Sequence, residues 1–165
     1  MQLAETQYDN SETGCCARLD VDHWDRREIE WERKPFVRDQ VRKLFHIPVN
    51  YGSVIGRVND LIESAEAYTE EPLWLTDEVS SWVSILYTAS NGDVPGATME
   101  YLSGTFLTRV FEGPYRKVRE WADETSAYAR ERGANVTRFL FYYATCPRCA
   151  KKFGENLVVV FAQVA

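Results

Sequence analysis

Between Gly104 and Tyr128 the hydrophobic pattern changes its period once, and this change limits the possible folds more than any other feature. Over Leu102–Phe111 the side chains alternate, as they do in a strand with two different faces. Beyond Pro114, apolar residues recur at helical spacing, at Val118, Trp121, Ala122, Thr125, Tyr128 and Ala129. Pro114 suits the first helical turn and Gly133 suits the helix end. The segment is therefore predicted to be a strand, a turn and a helix.

Most of the remaining chain shows similar periods. Apolar residues at helical spacing predict a helix over residues 53–66. Runs rich in β-branched and aromatic residues predict strands over residues 73–76, 82–89, 99–111, 136–145 and 157–164.

The first part of the chain is less regular. Residues 1–13 are polar and acidic and are predicted to form a mobile tail. From Gly14 onward we expect an irregular extension with one short strand around Ile29 and Trp31. Residues 36–48 fit a helix and a strand about equally, and we favour a strand for the second half, ending at Pro48.

The predicted elements repeat the order strand, helix, strand, strand. At an offset of 66 (111 − 45), Phe45 aligns with Phe111, His46 with Glu112 and Pro48 with Pro114. We therefore expect an α+β fold of duplicated strand-helix-strand-strand units. They would form an antiparallel sheet with two helices on one face and a central cleft. Residues 1–35 would be a tail and extension, and residues 36–165 the domain.

The composition limits the partners. A formal net charge of −6 with no basic stripe argues against a nucleic-acid partner. No apolar run has the length of a membrane span, and no secretory signal is evident, so we expect a cytoplasmic monomer or homodimer without a membrane partner. Five Trp, nine Tyr and eight Phe are enough to fill a core or line a pocket.

Two segments, SGTFLTRVFEGPYRKVREW and LFHIPVNYGSV, within the repeated order of elements, resemble the gyrase-inhibitor-like (GyrI-like) domains that bind small molecules. The chain is also similar to a stand-alone bacterial subgroup, often labelled hydrolase, with GCC-x-R-x-D near the start, F-H-I-P in the middle and TCP-x-C-A-K-K near the end. Some members of the wider family are effector domains of multidrug-responsive regulators, and others are hydrolases that open strained rings. The residues before the domain show no helix-turn-helix, so we expect no DNA-binding half.

The resemblance implies an aromatic pocket that holds an acidic residue and takes a hydrophobic or cationic small molecule. Strand alternation allows about half of the aromatic candidates to face such a pocket. These candidates are Trp74, Trp82, Tyr87, Tyr101, Tyr115, Tyr142 and Tyr143.

Three carboxylates are candidates for the acidic residue, in the order Glu112, Glu78 and Glu100. Aromatic walls raise the pKa of a carboxyl group by desolvation, which suits a general base or acid. His46 aligns with Glu112 in the repeat, so the two would form an acid/base pair across the cleft. The alternatives are a helix-start charge for Glu112, a turn residue for Glu78, a cross-strand pair for Glu100 and a core histidine for His46.

The four cysteines suggest a metal or redox site. Cys146 and Cys149 form a Cys-Pro-x-Cys knuckle, and Cys15 and Cys16 would complete four zinc ligands if the N-terminal segment folds back, with His23 as a further candidate. A redox or disulfide role and plain thiols are the alternatives. No nucleotide-binding motif is present, so zinc is the one candidate cofactor.

Two functions fit these features. The first is a hydrolase that acts on hydrophobic or electrophilic small molecules. The second is a protein that senses or sequesters such molecules without turning them over. A zinc- or redox-responsive protein that uses the Cys-Pro-x-Cys segment is a third alternative.

Overall fold

The computed structural model describes residues 19–44, 47–48, 50–69, 72–145, 151 and 154–165. The fold is α+β with antiparallel strand pairs, as predicted. The helices are α1 (Val21–Trp24), α2 (Tyr51–Ser64) and α3 (Val118–Glu131), with a short 3-10 turn at Tyr115–Lys117 before α3. The strands are β1 (Glu28–Leu44), β2 (Ile47–Pro48), β3 (Trp74–Asp77), β4 (Val83–Ala89), β5 (Thr98–Glu112), β6 (Val136–Tyr143) and β7 (Leu157–Val164). Within these residues no helix has the length and apolarity needed to cross a membrane.

From β1 onward the elements run strand, strand, helix, strand, strand, and then strand, helix, strand, strand, so the first half differs from the predicted order by the two-residue strand β2. The chain divides into two compact units, and the division passes through β1 and β5. Among the described residues, the first unit spans Glu32–Ser103, and the second combines residues 19–31 with residues 104–165. The duplication itself, the placement of both helices on one face and the central cleft stay predictions.

In the first unit, strands pair antiparallel in the order β2, β1, β4, β3. Helix α2 is amphipathic and buries Val54, Val58 and Ile62 against β1 and β4. The resulting core also contains Val37, Val41, Leu86, Ala67 and Val94. Because side chains alternate along a strand, Val37 and Val41 mark the sheet face that α2 covers.

In the second unit, β7 lies between β5 and β6 and is antiparallel to both. Helix α3 packs through Trp121, whose ring stacks on Phe111 at 5.6 Å, with Val158 and Val160 in the same cluster. Trp24 of α1 meets Phe161 edge-on at 5.8 Å. The strand β7 is buried along most of its length, as its apolar run predicted.

The region before residue 36 differs from the prediction of an irregular extension with one short strand. The strand β1 begins at Glu28 and continues without interruption to Leu44. Arg33 adopts a left-handed φ of 50°, and its N–H bonds to Ser103 Oγ at 2.8 Å. A left-handed residue of this kind has the geometry of a β-bulge. At a bulge the alternation of side chains between the two faces of the sheet is displaced by one residue, while the strand continues. The pattern of residues 28–44 therefore looked broken although the strand is whole.

Three other details refine the prediction. A single-turn helix at Val21–Trp24 was not expected from the sequence; its first turn is capped by Asp20, whose carboxylate accepts from the His23 N–H at 3.3 Å. Pro114 lies just before the first helical turn in extended conformation, not inside it. Gly133 ends α3 as predicted, with φ of 76° and its N–H bonded to the Arg130 carbonyl.

We expect two glycine-to-alanine substitutions to change stability in opposite directions. Gly133→Ala places a Cβ on a left-handed residue and should lower the free energy of unfolding by about 1 kcal/mol. Gly56→Ala lies within α2 and should raise it by up to about 1 kcal/mol, because alanine favours the helix. A Cβ at either position meets nothing within 4 Å, so packing does not confound the comparison. Urea unfolding measures the free energy of unfolding of both variants. A stabilising effect of Gly133→Ala would contradict the assigned helix end.

Candidate functional site

One face of the first unit carries a row of polar and aromatic side chains. Strand alternation puts Trp74, Thr76 and Glu78 on the same face, Glu78 directly after β3 ends at Asp77. The pairing of β3 with β4 places Thr76 opposite Leu86, a core residue under α2. The row therefore belongs to the α2 side of the sheet.

A buried lysine bonds to Glu78 on this face. Lys43 lies near the end of β1 with its side chain only 3% exposed, and its Nζ is 2.5 Å from Glu78 Oε2. Ser84 of β4 donates from its Oγ to the same carboxylate oxygen at 2.8 Å. A buried ammonium is costly unless it is paired and hydrogen-bonded, so this bond accounts for the presence of Lys43 in the interior. We call Lys43, Glu78 and Ser84 the Glu78 cluster.

Aromatic and hydroxyl groups lie along the same strands as the Glu78 cluster. Lys43 N–H bonds to the Trp82 carbonyl at 2.7 Å, which puts Trp82 opposite Lys43, and the Trp82 side chain is half exposed. Trp74 is partly buried against the α2 core. The hydroxyl oxygens of Thr76 and Thr88 are buried without a hydrogen-bond partner. Buried hydroxyls are rarely left unpaired, so this face has hydrogen-bonding capacity to spare.

Two other carboxylates around this sheet are paired with arginines. Asp39 shares the face of Val37 and Val41 and binds Arg57 of α2, whose Nη2 lies 2.6 Å from Asp39 Oδ2. Glu100 of β5 binds Arg38 at 3.4 Å, so of its two predicted roles the structure shows a charge pair.

The remaining aromatic candidates of the first unit lie elsewhere. Tyr87 is opposite Arg38 in the β1–β4 pairing, which places it on the face away from Glu78. It is 4% exposed and meets the Phe36 ring edge-on, as a core residue does. Tyr101 is partly exposed and has the Arg33 guanidinium 4.8 Å above its ring.

Two candidates of the second unit meet each other. The Tyr115 hydroxyl donates to the Thr145 carbonyl at 2.7 Å, and its ring contacts the Tyr143 ring edge-on at 5.4 Å. Tyr142 on the neighbouring position is 1% exposed and packs on Trp24. Tyr142 is thus a core residue, whereas Tyr115 and Tyr143 form a small aromatic pair at the start of α3.

Glu112 ends β5 with an exposed side chain that accepts from the Asn156 N–H at 3.4 Å. Its predicted partner His46 lies outside the described residues, as do Cys15, Cys16, Cys146 and Cys149. His23 packs edge-on against Trp24 at 5.1 Å. Across the described parts of the chain no group of three His, Cys, Asp or Glu side chains is arranged to hold a metal ion. The pairing of His46 with Glu112 and the zinc site stay predictions.

A groove of about 480 Å³ runs along α2, with Gly52, Gly56 and Asp60 in its lining. The predicted site residues are not among the described residues that line it. Among the described residues that line the groove, Arg57 also binds Asp39 of the sheet. The lining further includes the Asp60 carboxylate and the hydroxyls of Ser53 and Ser64, so the groove is a second polar surface of the first unit that shares no residue with the Glu78 cluster.

Sequence reasoning selected Glu78 and both tryptophans of this face but missed Lys43 and Ser84. The signal was present, because Lys43 follows Val37 and Val41 at even spacing and so shares their buried face. It was hidden by the ambiguous period of residues 36–48.

A family model described as bacterial hydrolase matches residues 6–164. The chain belongs to this family of bacterial hydrolases. The match covers nearly the whole chain and agrees with the subgroup that the sequence motifs indicated. No curated protein sequence matches the chain significantly.

Solved structures show the same fold at low sequence identity. A hydrolase from Listeria innocua superposes with a TM-score of 0.62 at 10% identity, over 86% of this chain and 92% of that one. The C-terminal domain of EcmrR superposes with a TM-score of 0.58 at 11% identity, and the match covers 86% of this chain and 98% of that domain. The EcmrR chain of an EcmrR–DNA complex superposes with a TM-score of 0.55 at 13% identity, and the match spans 84% of this chain but 55% of the EcmrR chain. The predicted GyrI-like resemblance is thus confirmed for the fold.

We expect Lys43 and Glu78 to be strongly coupled in stability. Lys43→Met leaves a partly buried carboxylate without its cation and should cost roughly 1–3 kcal/mol, below the value for a fully buried pair because Glu78 is partly exposed. The double variant Lys43→Met/Glu78→Gln should lose less than the sum of the single variants.

The matched control is the Asp39–Arg57 pair, in which the Arg57 side chain is 56% exposed. The cycle of Asp39→Asn and Arg57→Met should give a coupling below about 1 kcal/mol. Urea unfolding of all six variants measures both cycles. Equal coupling in the two pairs would contradict the burial of Lys43.

Proposed function

We propose that this bacterial hydrolase binds a hydrophobic, electrophilic small molecule and adds water to it, with Glu78 as the general base. The observation that carries the proposal is the Glu78 carboxylate, held at one oxygen by Lys43 Nζ and Ser84 Oγ on a sheet face that also bears Trp74 and Trp82. The family match supports hydrolytic chemistry. The tryptophans offer ring faces for a flat ligand.

The chemistry requires few groups. The Glu78 carboxylate accepts a proton from a water molecule while the water oxygen bonds to an electrophilic carbon of a strained ring. The ring bond at that carbon breaks, and its electron pair goes to the leaving atom of the ring. That atom then takes up the proton, so the net reaction adds one water to the ring. Lys43 and Ser84 position the base, because two donors at one oxygen fix the plane of the carboxylate.

The unpaired hydroxyls of Thr76 and Thr88 support a polar contact with the ligand or with the attacking water. Thr76 is the nearer of the two to Glu78 along β3, two positions before it. A hydroxyl can donate and accept, so it can orient a water whose proton moves to the carboxylate.

A second candidate function is ligand binding without turnover. It is favoured by the likeness to the C-terminal domain of EcmrR, a protein that has also been solved in complex with DNA. The same aromatic face would then serve as a binding surface, with Glu78 as a fixed polar contact. The two functions differ in whether a product forms.

We expect Glu78→Gln to lower turnover by at least about a hundredfold while ligand binding is retained, because the amide keeps the shape but cannot accept the proton. The assay offers aromatic compounds that carry a cyclopropane, an epoxide or an aziridine. It detects the addition of one water by mass spectrometry. Quenching of tryptophan fluorescence measures binding in the same samples.

The control is Glu131→Gln, an exposed carboxylate at the end of α3, which should keep full activity. Glu112→Gln and His46→Ala test the acid/base pair that the repeat predicted. Full activity of Glu78→Gln with loss in those two variants would move the catalytic base to the second unit. Binding without any product from the wild-type protein would favour the sensing function.

A further inference from the structure

Among the described residues of the first unit, three carboxylates are each paired with a cation. Glu78 and Lys43 cancel at 2.5 Å, and Asp39 on the same face is matched by Arg57. On the opposite face, Glu100 is matched by Arg38. A ligand that reaches Glu78 beside Trp82 therefore meets a carboxylate that is already paired with Lys43.

Lys43 reaches Glu78 from the protein interior. Its side chain is 3% exposed, so the ammonium has little contact with water in the structure. A surface lysine would move aside for a competing cation at little cost, since its long side chain is mobile. If a buried lysine moved aside, it would leave its carboxylate unpaired in the protein interior, which costs much more free energy. A ligand cation near Glu78 is therefore opposed by Lys43 at a similar distance.

Recognition of lipophilic cations depends on an uncompensated negative charge in an apolar surrounding, with aromatic faces adding a smaller attraction. The Glu78 cluster offers the Trp82 ring beside a carboxylate that is already paired with an ammonium group. An uncharged ligand pays no such penalty, and its polar atoms can bond to the unpaired hydroxyl of Thr76.

We propose that Lys43 is a specificity-determining residue that makes the Glu78 site select uncharged hydrophobic ligands over lipophilic cations. The proposal rests on the proposed function of this face and narrows its substrate class, which the sequence had left as hydrophobic or cationic. Glu78 keeps its role as the base, and Lys43 acts through it.

The test uses two probes of equal shape, (naphthylmethyl)trimethylammonium and its uncharged isostere neopentylnaphthalene. Their dissociation constants are measured by tryptophan quenching at low salt. The wild-type protein should bind the uncharged probe more tightly. Lys43→Met removes the cation 2.5 Å from Glu78 and should shift the affinity ratio towards the ammonium probe by at least about tenfold.

Three further variants keep the test decisive. Glu78→Gln leaves Lys43 without its carboxylate and should shift the ratio the other way by about tenfold or more. Lys43→Met/Glu78→Gln should return the ratio near the wild-type value, and Lys117→Met, at an exposed lysine, should not change it. Glu78→Gln tests whether the ion pair controls the affinity ratio even if Lys43→Met does not fold.

The outcomes separate this inference from the function on which it rests. Tighter binding of the ammonium probe by the wild-type protein would overturn the selection for uncharged ligands and leave ligand binding intact. An unchanged ratio in both single variants would show that the cluster does not face the ligand and would overturn the role of Lys43. Failure of the wild-type protein to bind either probe would count against the proposed function itself.

Discussion

The ion pair between Lys43 and Glu78 is the interaction on which the organisation of the first unit's polar face depends. An ammonium group enters a sheet interior only with a carboxylate beside it, so the end of β1 and the turn after β3 must stay together. Ser80 Oγ accepts from the N–H groups of Trp82 and Val83 at 3.1 Å each, which fixes the turn from its other side. The carboxylate is therefore positioned by two strands and a closed turn. Rigid placement of this kind is what a reacting group requires.

Much of the fold follows from patterns that are local in the chain. The helix α2 and the strands β4, β5 and β7 have long, regular periods, and the structure begins and ends each of them within a few residues of the prediction. The change of period around Pro114 identified β5 and α3 together. Local patterns succeed here because one stripe of each element is buried, so period and burial carry the same information.

The site could be predicted only in part, because its contacts are distant along the chain. Glu78 could be selected as a carboxylate in a turn between aromatic residues, but its partner Lys43 is 35 positions away. The pairings of β4 with both β1 and β3 bring the two together, and the ambiguous period of residues 36–48 gave no register for β1. The same uncertainty left Tyr87 and Tyr142 among the pocket candidates, although both are core residues. The register of a strand decides which face each of its tyrosines occupies, and the residue type does not reveal it.

The left-handed Arg33 interrupts the regular alternation of β1. Downstream of it, pairing with β4 sets which side chains share a face, from Phe36 opposite Ala89 to Arg42 opposite Val83. The orientation of Lys43 towards its carboxylate is therefore fixed by a neighbouring strand and not by the part of β1 that precedes Arg33.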